Sequence, residues 1–153
     1  MSVMKVAIGA DHRGVRLKNR LKKILEERGH AVRDFGAHAE ESSDYPDYAL
    51  PLSEAVAAGR FDRGILVCGS GIGMSIAANR VPGVRGTLCM NEGMARTARS
   101  HNNSNVLCLA ADLLDETTAR RILQVWLETD FEGGRHARRL RKIDQEHVHK
   151  KKC

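Results

Sequence analysis

Apolar residues gather in five short runs along the chain: Lys5–Gly9, Ala31–Phe35, Gly64–Cys68, Val84–Cys89 and Val106–Leu109. The runs are rich in Val, Ile and Leu without strict alternation, the pattern of strands buried on both faces of a parallel sheet. Between them apolar positions recur at helical spacing. Leu17, Leu21, Ile24 and Leu25 make one stripe, with Gly29 placed to end it. Pro46, in Asp44-Tyr-Pro-Asp47, suits the first turn of a second helix that runs through Ala58. Met74 to Asn79 is amphipathic and Ala-rich, and Asn91 to His101 puts Met94, Ala95 and Ala98 on one face. Ala119, Ile122, Leu123 and Trp126 follow an acidic start at Asp115-Glu116, and a last basic helix runs from Arg135 into the region of His147. Strand–helix alternation with short loops predicts a doubly wound α/β fold around a five-stranded, mainly parallel sheet.

Length changes this picture little: 153 residues fit one domain, 1–153, and no internal repeat divides it. Charge adds an asymmetry. The net charge is +6, and the segment Arg135–Lys152, with eight Lys/Arg against two Asp/Glu, carries all of it. Gly133-Gly134 breaks the chain just before this segment, so residues from about 133 to 153 read as a basic C-terminal arm. The arm either packs on a partner subunit or folds back on its own domain. With few aromatics to interleave, it does not read as a nucleic-acid surface. No window approaches the roughly 18–20 apolar residues of a membrane span, and Met1-Ser-Val-Met-Lys-Val carries no signal-peptide pattern. Cysteines at 68, 89, 108 and 153, three of them at ends of apolar runs, suit reduced thiols in a cytoplasm.

In an open α/β sheet, ligands bind outside the carboxyl ends of the strands. There the chain places Gly9-Ala-Asp11-His12, Cys68-Gly-Ser-Gly-Ile-Gly73, Met90-Asn91 and Ala110 to Asp112. The glycine turn is the most informative of these. Alternate glycines admit close backbone approach, and the following helix start favours an oxyanion, a phosphate or a thiolate. A thiol beside such a turn is a usable base or nucleophile rather than inert packing. The turn is not a dinucleotide fingerprint, because its glycine spacing differs and the first turn lacks G-x-G-x-x-G; no G-K-[ST] follows to make a Walker loop. His101, in Ser100-His-Asn-Asn103, reads alone equally as a helix-end cap or an acid–base group. Arg135 and Arg139, four apart on one helix, match phosphate geometry but also a plain solvated face. His147-x-His149 with Cys153 reads as a terminus rather than a metal site.

Taken together, Gly9-Ala-Asp-His12, Asp44-Tyr-Pro-Asp-Tyr-Ala49, Cys68 to Ser75 with Ile76-Ala-Ala-Asn79, Ser100-His-Asn-Asn103 and Gly133-Gly-Arg-His136 resemble ribose-5-phosphate isomerase type B. The wider family includes galactose- and allose-6-phosphate isomerases, and the resemblance runs from Met4 to about Asp144. It implies a Rossmann-like α/β sandwich that interconverts ribose 5-phosphate and ribulose 5-phosphate through a cis-enediolate, with no cofactor and no metal. By resemblance Cys68 is the base, with Met74 standing where other members carry a glutamate base. Ser70 assists proton movement, and backbone N–H groups across Gly69, Ser70, Gly71, Ile72 and Gly73 hold the oxyanion. His101 opens the sugar ring with Asp11 nearby, while His12, Asn102, Arg135 and Arg139 bind substrate, the arginines at the phosphate. The family's dimers share active sites between subunits, which implies a homodimer here and leaves a dimer of dimers open.

One residue departs from the resembled pattern. After the fifth strand many relatives carry an arginine at the substrate site, and this chain has Asp112. An acid there repels a phosphate or takes a substrate hydroxyl. A tetrose phosphate, allose 6-phosphate or galactose 6-phosphate is therefore an alternative substrate, and a non-catalytic sugar-phosphate-binding protein an alternative function.

Overall fold

A computed structural model describes residues 2–150, with side chains described through residue 145. Five strands form one sheet: β1 (Lys5–Ala10), β2 (Ala31–Asp34), β3 (Arg63–Cys68), β4 (Gly86–Leu88) and β5 (Val106–Ala110). Their order is β2-β1-β3-β5-β4, and all four pairings are parallel. The helices are α1 (Val15–Glu27), α2 (Pro46–Ala57), α3 (Ile72–Ala78), α4 (Glu92–Ser100), α5 (Glu116–Glu128) and α6 (Arg135–Lys150). No described helix is long and apolar enough to cross a membrane.

Successive side chains of a strand point to opposite faces, so a strand covered on both sides must be apolar throughout. In β3, Ile65 and Val67 pack with Leu17, Leu21 and Leu25 of α1 and Ile122 and Trp126 of α5. Leu66 and Cys68 turn the other way, toward Leu52 and Val56 of α2 and Met74 of α3. Each large side chain buried in these layers contributes about 1.5–3 kcal/mol. Trp126 is fully buried, and its indole N–H donates to Ser104 Oγ at 3.1 Å.

Local chemistry starts the helices where the sequence places them. Asn91 and Asp115 cap α4 and α5, accepting from the Met94 and Thr118 N–H groups at 2.8 and 2.7 Å. Pro46 opens α2. Two features depart from the expected pattern. The fourth strand is three residues long rather than Val84–Cys89, because the Asn105 side chain takes the Arg85 N–H at 2.7 Å, so pairing with β5 begins at Gly86. Lys18 is fully buried inside the apolar stripe of α1, where its ammonium donates to Asp34 at 2.8 and 2.9 Å and to the Ala37 carbonyl at 2.6 Å. Burial works against the Asp34 charge, yet Lys18 and the Gly36 N–H hold its carboxyl below the usual range.

The order of the strands creates the crevice. From β1 the chain moves outward to β2 and then returns past β1 to β3. Helix α1 leaves β1 on one face of the sheet, while α3 leaves β3 on the other. The turns after β1 and β3 therefore diverge, and a cleft opens between them at the carboxyl edge.

Candidate active site

A cavity of about 300 Å³ occupies this cleft, lined by Asp11, Arg13, Tyr45, Cys68, Gly69, Ser70, Gly73, Asp112 and Leu113. Three turns build it. After β1, the Asp11 carboxylate is buried and accepts from the Arg13 and Gly14 N–H groups at 3.0 and 3.2 Å, while its own N–H donates to the Val67 carbonyl at 3.2 Å. Gly14 presses on β3 so closely that a Cβ there would lie 2.3 Å from the Val67 carbonyl oxygen. After β3, Cys68 is 4% exposed, and its Sγ accepts the Gly71 N–H at 3.2 Å. Gly71 caps α3 with φ +73°, a left-handed conformation that favours glycine. After β5, the Ala111 and Asp112 N–H groups donate to the Cys68 and Gly69 carbonyls at 2.9 and 3.0 Å, which ties the third turn to the second.

The glycine turn is partly self-satisfied. The Gly71 N–H goes to Cys68 Sγ, and the Ile72 N–H goes to Ser70 Oγ at 3.2 Å. Both acceptors belong to residues expected to move protons. The Tyr45 ring covers Gly73, where a Cβ would come within 2.8 Å of it. His12 lies one residue from Asp11 but outside the cavity lining. Its N–H donates to Ser43 Oγ at 3.0 Å, and its Nδ1 lies 3.1 Å from the Ser43 N–H and 3.2 Å from the Ser43 carbonyl, so Ser43 holds the ring in place.

The remaining expected residues gather elsewhere. His101, at the C-terminal end of α4, stacks on His136 of α6 with ring centres 4.2 Å apart and planes 11° apart. Glu132 joins them, its Oε2 3.8 Å from His101 Nε2 and 3.5 Å from His136 Nε2. The His136 side chain is 7% exposed, and its Nε2 is buried without a hydrogen-bond partner. Burial, helped by His101 and Arg135 and opposed by Glu132, holds the His136 ring below the usual histidine value. Asn102 lines a second cavity of about 420 Å³, with Thr87, Leu88, Cys89 and Met94. Arg135 and Arg139 are exposed on α6, while His136 and Leu140 bury the opposite side of the same turns. Among the described residues, no hydrogen bond, ion pair or shared cavity lining joins this group to Cys68.

The donor atoms of His101, Glu132 and His136 lie within 4.8 Å of one another. A metal sits in the plane of each imidazole that binds it, and two nearly parallel stacked rings aim their lone pairs side by side rather than at one point. His147, His149 and Cys153 lie outside the described side chains.

Sequence reasoning missed Arg13, Tyr45, Glu132 and His136. Tyr45 and His136 stand within motifs that the resemblance used, in Asp44-Tyr-Pro and Gly133-Gly-Arg-His, so a signal existed for them. Arg13 had none. Its Nη1 pairs with Asp112 Oδ2 at 2.9 Å, across 99 positions of chain. Asp112 is thus not a lone acid at the site.

A family model described as Ribose/Galactose Isomerase matches residues 6–143. Ribose-5-phosphate isomerase B of Escherichia coli is 42% identical over 139 residues, covering 91% of this chain and 93% of that protein. D-erythrulose-4-phosphate isomerase of Pectobacterium atrosepticum is 39% identical over 142 residues, covering 92% and 93%. The solved structure of Clostridium thermocellum ribose-5-phosphate isomerase B superposes with a TM-score of 0.93 at 47% identity, covering 98% of this chain and all of the other.

Proposed function

The chain belongs to the ribose/galactose isomerase family, and from that premise we propose that it interconverts ribose 5-phosphate and ribulose 5-phosphate through a cis-enediolate. At the coarser level it is a sugar-phosphate isomerase of the aldose–ketose type. The observation that carries the finer reading is the Cys68 thiol, buried at the end of β3 in a cavity it shares with Asp11 and Ser70 and hydrogen-bonded to the glycine turn. Isomerisation needs a base beside a carbon acid, a stabiliser for developing negative oxygen, and an anchor that fixes the carbon over the base. Cys68 removes the proton at C2 of the open aldose and returns it at C1. Ser70 passes a proton between the two oxygens. Backbone N–H groups of the Gly69–Gly73 turn hold the enediolate.

Ring opening falls to His101, with Asp11 near the sugar, and His12, Asn102, Arg135 and Arg139 bind substrate. The separation of the His101 group from Cys68 within one chain supports a homodimer in which α6 and the His101 loop of one copy complete the Cys68 cavity of the other. No cofactor enters this scheme. A second reading, a tetrose phosphate as substrate, is favoured by the D-erythrulose-4-phosphate isomerase among the relatives. The test is ketose formation from a panel of four-, five- and six-carbon aldose phosphates. Best turnover on ribose 5-phosphate supports the first reading. Best turnover on the tetrose replaces it, and binding without turnover of any sugar overturns catalysis.

A further inference from the structure

Among the described residues, three charged side chains line the Cys68 cavity, and Arg13 is the one cation among them, against Asp11 and Asp112. Asp11 is engaged by two backbone N–H groups, so its charge is held by the turn. If Arg13 did no more than neutralise Asp112, the cavity would present a net negative face to a phosphorylated substrate. The geometry does not bind the guanidinium that way. A single nitrogen, Nη1, meets a single oxygen, Oδ2, rather than a two-point fork. The other donors of the planar group remain available, and the side chain is 62% exposed.

The pair also has a fixed place. A Cβ on Gly69 would lie 2.6 Å from Asp112 Oδ2 and 2.9 Å from Arg13 Cδ, so both side chains lie in contact over the residue that follows the base. Each is anchored by its own turn. The Arg13 N–H donates to Asp11 Oδ1 at 3.0 Å, and the Asp112 N–H donates to the Gly69 carbonyl at 3.0 Å. Arg13 thus lies over Gly69, in the same cavity lining as Cys68, with its guanidinium held by a carboxylate.

We infer that Arg13 is a substrate-binding residue that takes the phosphate of an open-chain sugar phosphate at the mouth of the Cys68 cavity, and that Asp112 is the positioning residue that aims it. This rests on the isomerase reading above. Arg13 adds a cation from the base's own chain to Arg135 and Arg139. Because it and Cys68 are fixed to adjoining turns, it also selects substrates by the reach between the carbon at the base and the phosphate.

The test uses the full-length chain and reads KM and kcat for the sugar phosphate it turns over, together with the inhibition constant of inorganic phosphate. A charge-assisted hydrogen bond from a half-exposed arginine predicts that Arg13→Ala raises KM and the phosphate inhibition constant together, by about tenfold, with kcat changed by less than about threefold. Arg13→Lys recovers part of the loss, and Asp112→Asn raises KM by a smaller factor. Arg13→Asp alone is worse than Arg13→Ala, and Arg13→Asp combined with Asp112→Arg recovers about tenfold over Arg13→Asp. Unchanged KM and phosphate inhibition in Arg13→Ala, with only a lower melting temperature, overturns the inference and leaves a brace. If the chain turns over no aldose phosphate, the isomerase reading fails by itself. Calorimetric binding of ribose 5-phosphate and inorganic phosphate then decides Arg13: weaker binding in Arg13→Ala supports its role, and equal binding removes it.

Discussion

The Cys68 cavity and the His101 cluster are built in opposite ways. The cavity is made of main chain: three turns at one sheet edge, stitched by backbone hydrogen bonds, enclose a thiol that is 4% exposed. The cluster is made of side chains from the end of α4, the stretch before α6 and the first turn of α6, and the His101 side chain is 41% exposed. Each lacks what the other has. Among the described residues, no histidine lines the cavity, and no thiol belongs to the His101 cluster. Proton abstraction from carbon needs a dry, fixed base, whereas ring opening needs a group that exchanges protons with an oxygen and with water. The His101 and Glu132 side chains stay open to solvent in the single chain, which is the side the proposed second copy would cover.

The sharpest way to break this division is at the base. Cys68→Ala should lower kcat for ketose formation by about a thousandfold or more with the melting temperature within a few degrees. Retained turnover would move the chemistry out of the cavity. Next, His101→Ala should lose about a hundredfold, and mixing it with Cys68→Ala should restore roughly a quarter of wild-type activity, because half of randomly paired dimers are mixed and carry one intact site. No recovery on subunit exchange would place both groups' work within one chain.

Smaller effects sharpen the cluster itself. Glu132 opposes the burial that lowers the His136 ring, so Glu132→Gln should move His136 further down, read from its ring-proton titration by NMR, with activity reduced about threefold to tenfold. An unmoved titration would show that Glu132 does not act on the rings. The smallest effect is on stability against pH. His30 is also held below the usual histidine value, first by burial and then by Arg28, and its Nδ1 accepts the Met4 N–H at 3.1 Å. Both rings bind a proton more readily in the unfolded chain than in the folded one. Stability is therefore full above about pH 6.5 and falls as pH drops below it toward the lowered folded values. The melting temperature should fall by a few degrees from pH 7.5 to pH 5, and by less in His30→Asn.

Much of this architecture is legible in the sequence, because strand runs, caps and the glycine turn act locally. Cys68, Asp11 and Ser70 meet where the rule for open α/β sheets puts them. What escaped depends on distance along the chain. Lys18 reads as a polar position next to an apolar stripe, and only Asp34 on β2 and the Ala37 carbonyl explain its burial. The short β4 follows from an asparagine twenty residues on. Arg13 and Asp112 look unremarkable apart, and the reading of Asp112 as a repelling acid changes once the strand order sets their turns on either side of β3. His101 and His136 belong to separate motifs, and nothing in either announces a stacked pair.

Gly14 has a consequence for the cleft as a whole. Its α-carbon sits where a methyl group would strike the Val67 carbonyl, so the first turn settles against β3 as tightly as main chain allows. Asp11 and Arg13 ride on that turn, and Cys68 follows Val67. The width of the cleft is thus gauged by an atom that is not there. A single added carbon at position 14 would act as a shim, lifting the acid and the arginine off the thiol together while touching none of them.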